Sequence, residues 1–218
     1  MIARFCQAMQ PKAWKPKPKR VRELQALVAR LDALQALAQQ EANRLDVAQP
    51  CVKGSIITVQ ATLNNEIKQV KKTIKQHIKD HDDLDSDSRL LLTIPGIADR
   101  TMAQVLGSIG SVEHFENAKQ MAAFFGLSPK QHSSGSSVKR HTRLSKIEDA
   151  RVRKALYMPA IVTMRHNPLI KTFCERLKAA GKAPMAIIGA VMRKLVHIIY
   201  GILKSRKPFD PNIIAKNT

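Results

Sequence analysis

The sequence predicts a mainly α protein: a long helical hairpin or coiled coil, followed by a compact helical domain with a helix-hairpin-helix-like motif. Three observations carry that expectation. Leu24, Leu31, Ala38 and Leu45 recur at intervals of seven with Leu27 and Leu34 between them, and Ile56, Leu63 and Val70 repeat the interval beside Ile67 and Ile74. Apolar residues at that period line one seam of a helix. Beyond residue 88, apolar residues keep helical spacing between breaks at Pro, Gly and Asn, and few runs read as strands.

Residues 1–20 form a basic arm. Pro11, Pro16 and Pro18 interleave with Lys12, Lys15, Lys17, Lys19 and Arg20. Alternating Lys and Pro favours an extended chain, either a solvated linker or a contact for polyanions through Lys17, Lys19 and Arg20. Residues 21–88 carry the helical pair, one helix over 21–47 ended by Pro50 and a second over 55–79. The outer face of the second carries Lys68, Lys71, Lys72, Lys75 and Lys79. Two such helices make an antiparallel hairpin or one arm of a dimeric coiled coil, so a homo-oligomer is expected. Asp82, Asp83, Asp85 and Asp87 then mark a boundary, where Asp and Ser end one helix and cap the next. The spacing does not fit a calcium loop, and no metal site is expected in this chain.

Residues 89–204 form the compact domain. Leu90 to Leu92 end a helix, Ile94-Pro95-Gly96-Ile97 turns the chain, and a new helix starts near Asp99. This resembles the helix-hairpin-helix of DNA-binding proteins, in which backbone amides at the glycine turn receive a phosphate. Gly96 is thus a candidate contact, although Ala98 stands where a second glycine is usual. A short helical segment over 112–125 supplies Phe115, Met121, Phe124 and Phe125 to the core. Further helices are expected over 150–164, 169–179 and 185–204, with His197 packed in the core, and the tail over 205–218 is expected to be extended.

Between these helices lies Gly126 to Lys146, rich in hydroxyls and cations, with no acidic residue. Ser133-Ser134-Gly135-Ser136-Ser137 has no apolar face to bury, so the segment reads as a loop, solvated or polyanion-binding. Glycine removes the Cβ that would obstruct a phosphate, which makes Gly135, Lys139, Arg140, Arg143, Lys146, Arg151 and Arg153 candidate nucleic-acid contacts.

The charge agrees. Lys and Arg number 37 against 17 Asp and Glu, a net charge of +20. Such an excess points to a nucleic-acid or anionic-surface partner. With aromatics at 4%, base stacking is not the main mode. Cys6, Cys51 and Cys174 are isolated and suggest a reducing, cytoplasmic home. The start lacks the apolar core of a signal peptide, and no apolar run is expected to span a membrane.

The order of parts is familiar. Ile94-Pro95-Gly96-Ile97, then Phe115, Ala122-Ala123-Phe124-Phe125-Gly126-Leu127-Ser128-Pro129, Ser134-Gly135 and the basic run to Arg153 and Leu156 resemble the C-terminal domain of insertion-sequence 110/116/902 family transposases. The resemblance covers residues 90–202, and the helical pair resembles the family's coiled-coil connector. It implies DNA transposition or site-specific recombination, with Ser134 of the Ser-Gly motif as nucleophile and Ser133 as the adjacent alternative. It also implies a ribonuclease-H-like domain holding magnesium on Asp-Glu-Asp-Asp, which this sequence lacks. The chain therefore reads as the rear half of a transposase, with no cofactor of its own. Further implied partners are DNA, an element-encoded noncoding guide RNA and a dimer or tetramer of the chain, in the bacterial cytoplasm near the nucleoid. A non-catalytic, dimerising DNA- or RNA-binding remnant is the second reading. A basic nucleoid protein, resting on charge alone, is the third.

Overall fold

The computed structural model of the chain describes residues 2–10, 16–134, 138–144 and 150–211, and over 2–3, 130–134 and 138–143 it describes the backbone alone. The fold is mainly α. Helix α1 (Ile2–Met9) occupies part of the arm expected to be extended. The Lys-Pro alternation starts only after it, so nothing in residues 2–9 opposes a helix.

Helices α2 (Lys19–Val47) and α3 (Pro50–Lys79) form the hairpin. Pro50 sits in the first turn of α3, where its missing N–H costs nothing, and it holds Gln49 extended at ψ 148°. That short link sends the chain back along α2. Val21, Leu24, Val28, Leu31 and Leu34 of α2 are buried, as are Ile74 and Ile78 of α3. Burial is concentrated where the hairpin joins the domain. Farther out, Leu63, Ile67 and Val70 are half-buried, while Leu37, Val52, Ile57 and Val59 are exposed.

Helix α4 (Asp82–Leu92) carries the acidic cluster. Asp82, Asp83 and Asp85 lie in its first turn, where carboxylates favour the helix dipole. Two members are also tied outward, Asp83 to Arg20 and Asp87 to Arg206, while Asp85 pairs with Arg89 one turn along the same helix. Helix α5 (Asp99–Ile109) is the central rod, buried from Thr101 to Ile109 between α2, α4 and α7. At Gly107 an added Cβ would lie 3.4 Å from the Gln25 backbone, so α2 and α5 pack at near-backbone distance.

A short 3-10 turn (Val112–His114) leads to α6 (Ala118–Phe124), strands β1 (Pro129–Ser134) and β2 (Val138–Leu144), and helices α7 (Ala150–His166), α8 (Pro168–Ala179) and α9 (Pro184–Ser205). Pro159 lies inside α7 and cannot donate to the Ala155 carbonyl. The Thr101 hydroxyl of α5 donates to that carbonyl at 3.3 Å instead. Fully buried Thr163 donates to Pro159 O at 2.6 Å and reaches Pro95 O at 3.0 Å. The defect in α7 thus becomes its attachment to α5 and to the Pro-Gly turn.

Helix α9 corrects the expectation that no apolar run could span a membrane. By length and composition Pro184–Ser205 is long and apolar enough. It is nevertheless a core helix, packed against α4, α6, α7 and α8, with Ile187, Val191, Leu195, Ile199 and Leu203 buried. The tail docks where Phe209 N donates to Thr93 Oγ1 at 2.9 Å.

His197 on α9 lines a cleft of about 440 Å³ with Lys194, Lys207 and Phe209. Its buried Nε2 has no hydrogen-bond partner among the described residues. Burial first, then Arg193, Lys194 and Lys119, push its pKa below the ordinary 6.5. Between the lowered value and 6.5 the unfolded chain binds more protons than the folded one, so stability should rise with pH through that window. Urea melts from pH 5 to 7 should show this slope, and His197→Leu should flatten it.

Candidate nucleic-acid interface and the serine hairpin

The approach to Ser134 is set by the end of α6. Gly126 has φ +66°, a conformation glycine adopts without penalty. Gly126 N donates to Ala123 O at 2.8 Å and Leu127 N to Ala122 O at 2.9 Å. This pair of bonds is a Schellman motif, and its apolar anchor Leu127 is fully buried. Ser128 and Pro129 leave the helix end in a fixed direction and begin β1.

Over residues 129–134 and 138–144 the expectation of a loop is corrected, while 135–137 and 145–146 lie outside the described residues. The segment is an antiparallel hairpin, with Pro129 opposite Leu144, Lys130 opposite Arg143, His132 opposite Arg140, Ser133 opposite Lys139 and Ser134 opposite Val138. A bulge falls between Lys130 and His132. Composition concealed it because no apolar alternation marks the strands. The ladder satisfies the backbone, and the hairpin is anchored at its root. Half-buried Leu144 packs over Gly189 of α9, where an added Cβ would lie 3.4 Å from Leu144 Cδ1.

Ser134 is therefore the last residue of β1, paired with Val138. Ser133, Lys139, Arg140 and Arg143 lie on the same two strands, all within one hairpin, while Gly135 and Lys146 fall outside the described residues. Arg151 is exposed at the start of α7, and half-buried Arg153 directs Nη1 to Phe125 O at 3.4 Å. Sequence reasoning missed Arg193. It is half-buried on α9, one turn beyond Gly189, with Nη1 3.5 Å from Ser128 Oγ. A lone arginine inside an apolar helix was the signal. Arg153 and Arg193 thus bring two cations to the root of the hairpin.

The other candidates lie elsewhere. The half-buried Lys17 ammonium reaches the carbonyls of Ser108 and, at 3.4 Å, Gly107, at the C-terminal end of α5. Its stem runs along Gly110. A cation there completes unpaired helix carbonyls. Arg20 holds Asp83 through Nε at 2.8 Å and Nη2 at 2.7 Å, and its carbonyl contacts His77 Nε2. Lys19 stays exposed beside Glu23. Lys17→Met keeps the packed stem and removes the charge. It should lower stability by about 1 kcal/mol in denaturant melts, with little change in nucleic-acid affinity.

Gly96 is half-buried at φ +90°, and an added Cβ would meet Thr163 Oγ1 at 2.8 Å and Pro159 O at 3.0 Å. Its close approach is to α7. Ala98 has φ −116°, open to any residue, so a second glycine is not needed.

Magnesium, which the resemblance implies, finds no ligand set here. Among the described residues no cluster of three or more His, Cys, Asp or Glu could hold a metal ion.

Comparison of the sequence with those of known proteins gives a consistent set of matches. Residues 88–175, which include the turn at Gly96 and both strands, match the transposase IS116/IS110/IS902 family. The chain is 31% identical to the pilin gene-inverting protein of Moraxella bovis over 98% of its own length and 66% of that protein's. It is 24% identical to the 43.6 kDa protein of insertion element IS110 from Streptomyces coelicolor, over 91% of this chain and 48% of that one. The transposase of IS1111A from Coxiella burnetii is 41% identical over 22% of this chain and 14% of its own. The chain thus spans less than two thirds of the length of these relatives. With a matched segment that contains the serine hairpin and near-complete coverage by the Moraxella protein, the chain belongs to the IS116/IS110/IS902 family of transposases.

Proposed function

We propose that this chain is the DNA-handling part of an insertion-sequence recombinase. In this reading the cationic hairpin binds the DNA backbone and Ser134 is the nucleophile, with Ser133 as the alternative. The serine oxygen forms a bond to phosphorus, the bond to one bridging oxygen breaks, and the departing strand end takes up a proton. A serine hydroxyl is a weak nucleophile unless activated, and the developing phosphate charge must be neutralised. Lys139, Arg140, Arg143, Arg153 and Arg193 are among the cations on or beside the hairpin that would serve the second need.

The observation that carries this reading is that the family match spans the hairpin whose first strand ends on Ser134. Relatives named for inverting a pilin gene and for insertion elements support DNA recombination as the reaction class. A homo-oligomer belongs to the same proposal, with exposed Leu37, Val52 and Val59 on the hairpin as its apolar contacts. A guide RNA is a second polyanion for the same cations.

The test is binding to a duplex of about 30 base pairs across a salt series. Affinity should fall by about three orders of magnitude or more between 50 and 200 mM salt. Binding that ignores salt would remove the electrostatic reading.

A further inference from the structure

The hairpin at Ser134 does not use a row of cations on α3. Lys68, Lys71, Lys72, Lys75 and Lys79 of α3 are all exposed. At 3.6 residues per turn they fall within an arc of about 100°, and at 1.5 Å per residue they extend over about 16 Å. Glu66 is the only acidic residue of α3, and it lies on the opposite side of the helix. Among the described residues only Lys75 has an acidic partner, Asp99 at 2.7 Å. That ion pair joins the row to the N-terminal end of α5, next to the exposed turn at Ala98.

A structural role does not account for this row. The apolar seam of α3, through Ile67, Val70, Ile74 and Ile78, lies on a different face and packs toward α2. Four unpaired ammonium groups at helical neighbour spacing repel one another. The repulsion is relieved when a polyanion lies along them. One strand of B-DNA presents a phosphate every 3.4 Å of axis, so a row of about 16 Å faces roughly five of them.

We propose that the lysine flank of α3 is a second DNA-binding surface, one that follows the backbone of duplex DNA without reading its sequence. It makes the α2–α3 hairpin a nucleic-acid arm as well as a scaffold. The proposal rests on the reading of the chain as a DNA-handling protein. Charge complementarity selects the occupant, and the straight row suits a regular duplex better than a folded strand.

The test compares two variants with the wild-type chain by fluorescence anisotropy on a 30-base-pair duplex. In the first, Lys68, Lys71, Lys72 and Lys79 are each replaced by Gln, while Lys75 keeps its pair with Asp99. In the second, Lys139→Gln and Arg140→Gln alter the serine hairpin. The α3 variant should lose about tenfold or more in affinity at 100 mM salt, and the slope of log affinity against log salt should fall by about 2–4. The loss should be equal on unrelated sequences, with an unchanged circular dichroism spectrum. If the fold is disturbed, the Lys71→Gln, Lys72→Gln pair should still lower the slope by about 1–2. An unchanged slope in the α3 variant, with affinity lost in the hairpin variant, overturns the flank and leaves the hairpin reading standing. No binding by the wild-type chain even at 20 mM salt overturns both. Loss of binding to an RNA hairpin or to phosphatidylglycerol vesicles, with duplex DNA binding intact, overturns DNA as the occupant.

Discussion

Replacing Ser134 by alanine should abolish strand exchange while leaving DNA affinity almost intact. The measurement needs the chain joined, by fusion or as a second polypeptide, to the carboxylate-bearing domain that the family resemblance implies. Among the described residues no group of three or more His, Cys, Asp or Glu could hold a metal ion, and the isolated chain is expected to be inactive. In the reconstituted protein the loss should be three orders of magnitude or more, as removal of a nucleophile is worth at least about that. Affinity should change by no more than about 1 kcal/mol, the worth of one neutral hydroxyl. Ser133→Ala is the companion, because the two serines are adjacent in sequence but hold different register positions in the hairpin. The two serines are therefore not interchangeable: Ser134 pairs with Val138 and Ser133 with Lys139. Strand transfer by Ser134→Ala, with loss in Ser133→Ala, would move the nucleophile by one residue.

Gly96→Ala should cost about 2–4 kcal/mol of stability. The left-handed backbone at φ +90° accounts for about 1–2 kcal/mol of that with any Cβ present. The new Cβ also meets Thr163 Oγ1 at 2.8 Å, against a hydroxyl that bonds both Pro159 O and Pro95 O in a fully buried site. Displacing it strands buried polar groups, at about 1–3 kcal/mol. For a chain of this size the midpoint of thermal unfolding should drop by about 5–15 °C. A glycine needed only to receive a phosphate would give the opposite pattern, lower DNA affinity at unchanged stability. The two measurements on one variant separate these roles.

The helices were legible because each is written locally. The seven-residue spacing of Leu24, Leu31 and Leu45 and the breaks at Pro50, Asn167, Gly181 and Pro184 are properties of short stretches. Helical periodicity needs no knowledge of what lies opposite. The serine hairpin was not legible. Its strands carry polar and basic residues whose pairing follows from a ladder and a root on Gly189, both fixed by residues distant in sequence. Lys17 and Arg20 read as free cations for the same reason. Their partners, Ser108 and Asp83, lie 91 and 63 residues away.

By itself the sequence determined a basic, mainly α chain, the approximate course of its longer helices and the family motifs, because composition and period survive without a third dimension. Only the tertiary structure decided which cations are committed to the fold and which face solvent. It also showed that Pro159 is answered by Thr101, and that Gly96 is held against α7 by Thr163. These outcomes depend on which donor meets which carbonyl across the core, and that pairing is made by packing of buried Leu24, Leu106, Leu156 and Ile199, not by any local pattern.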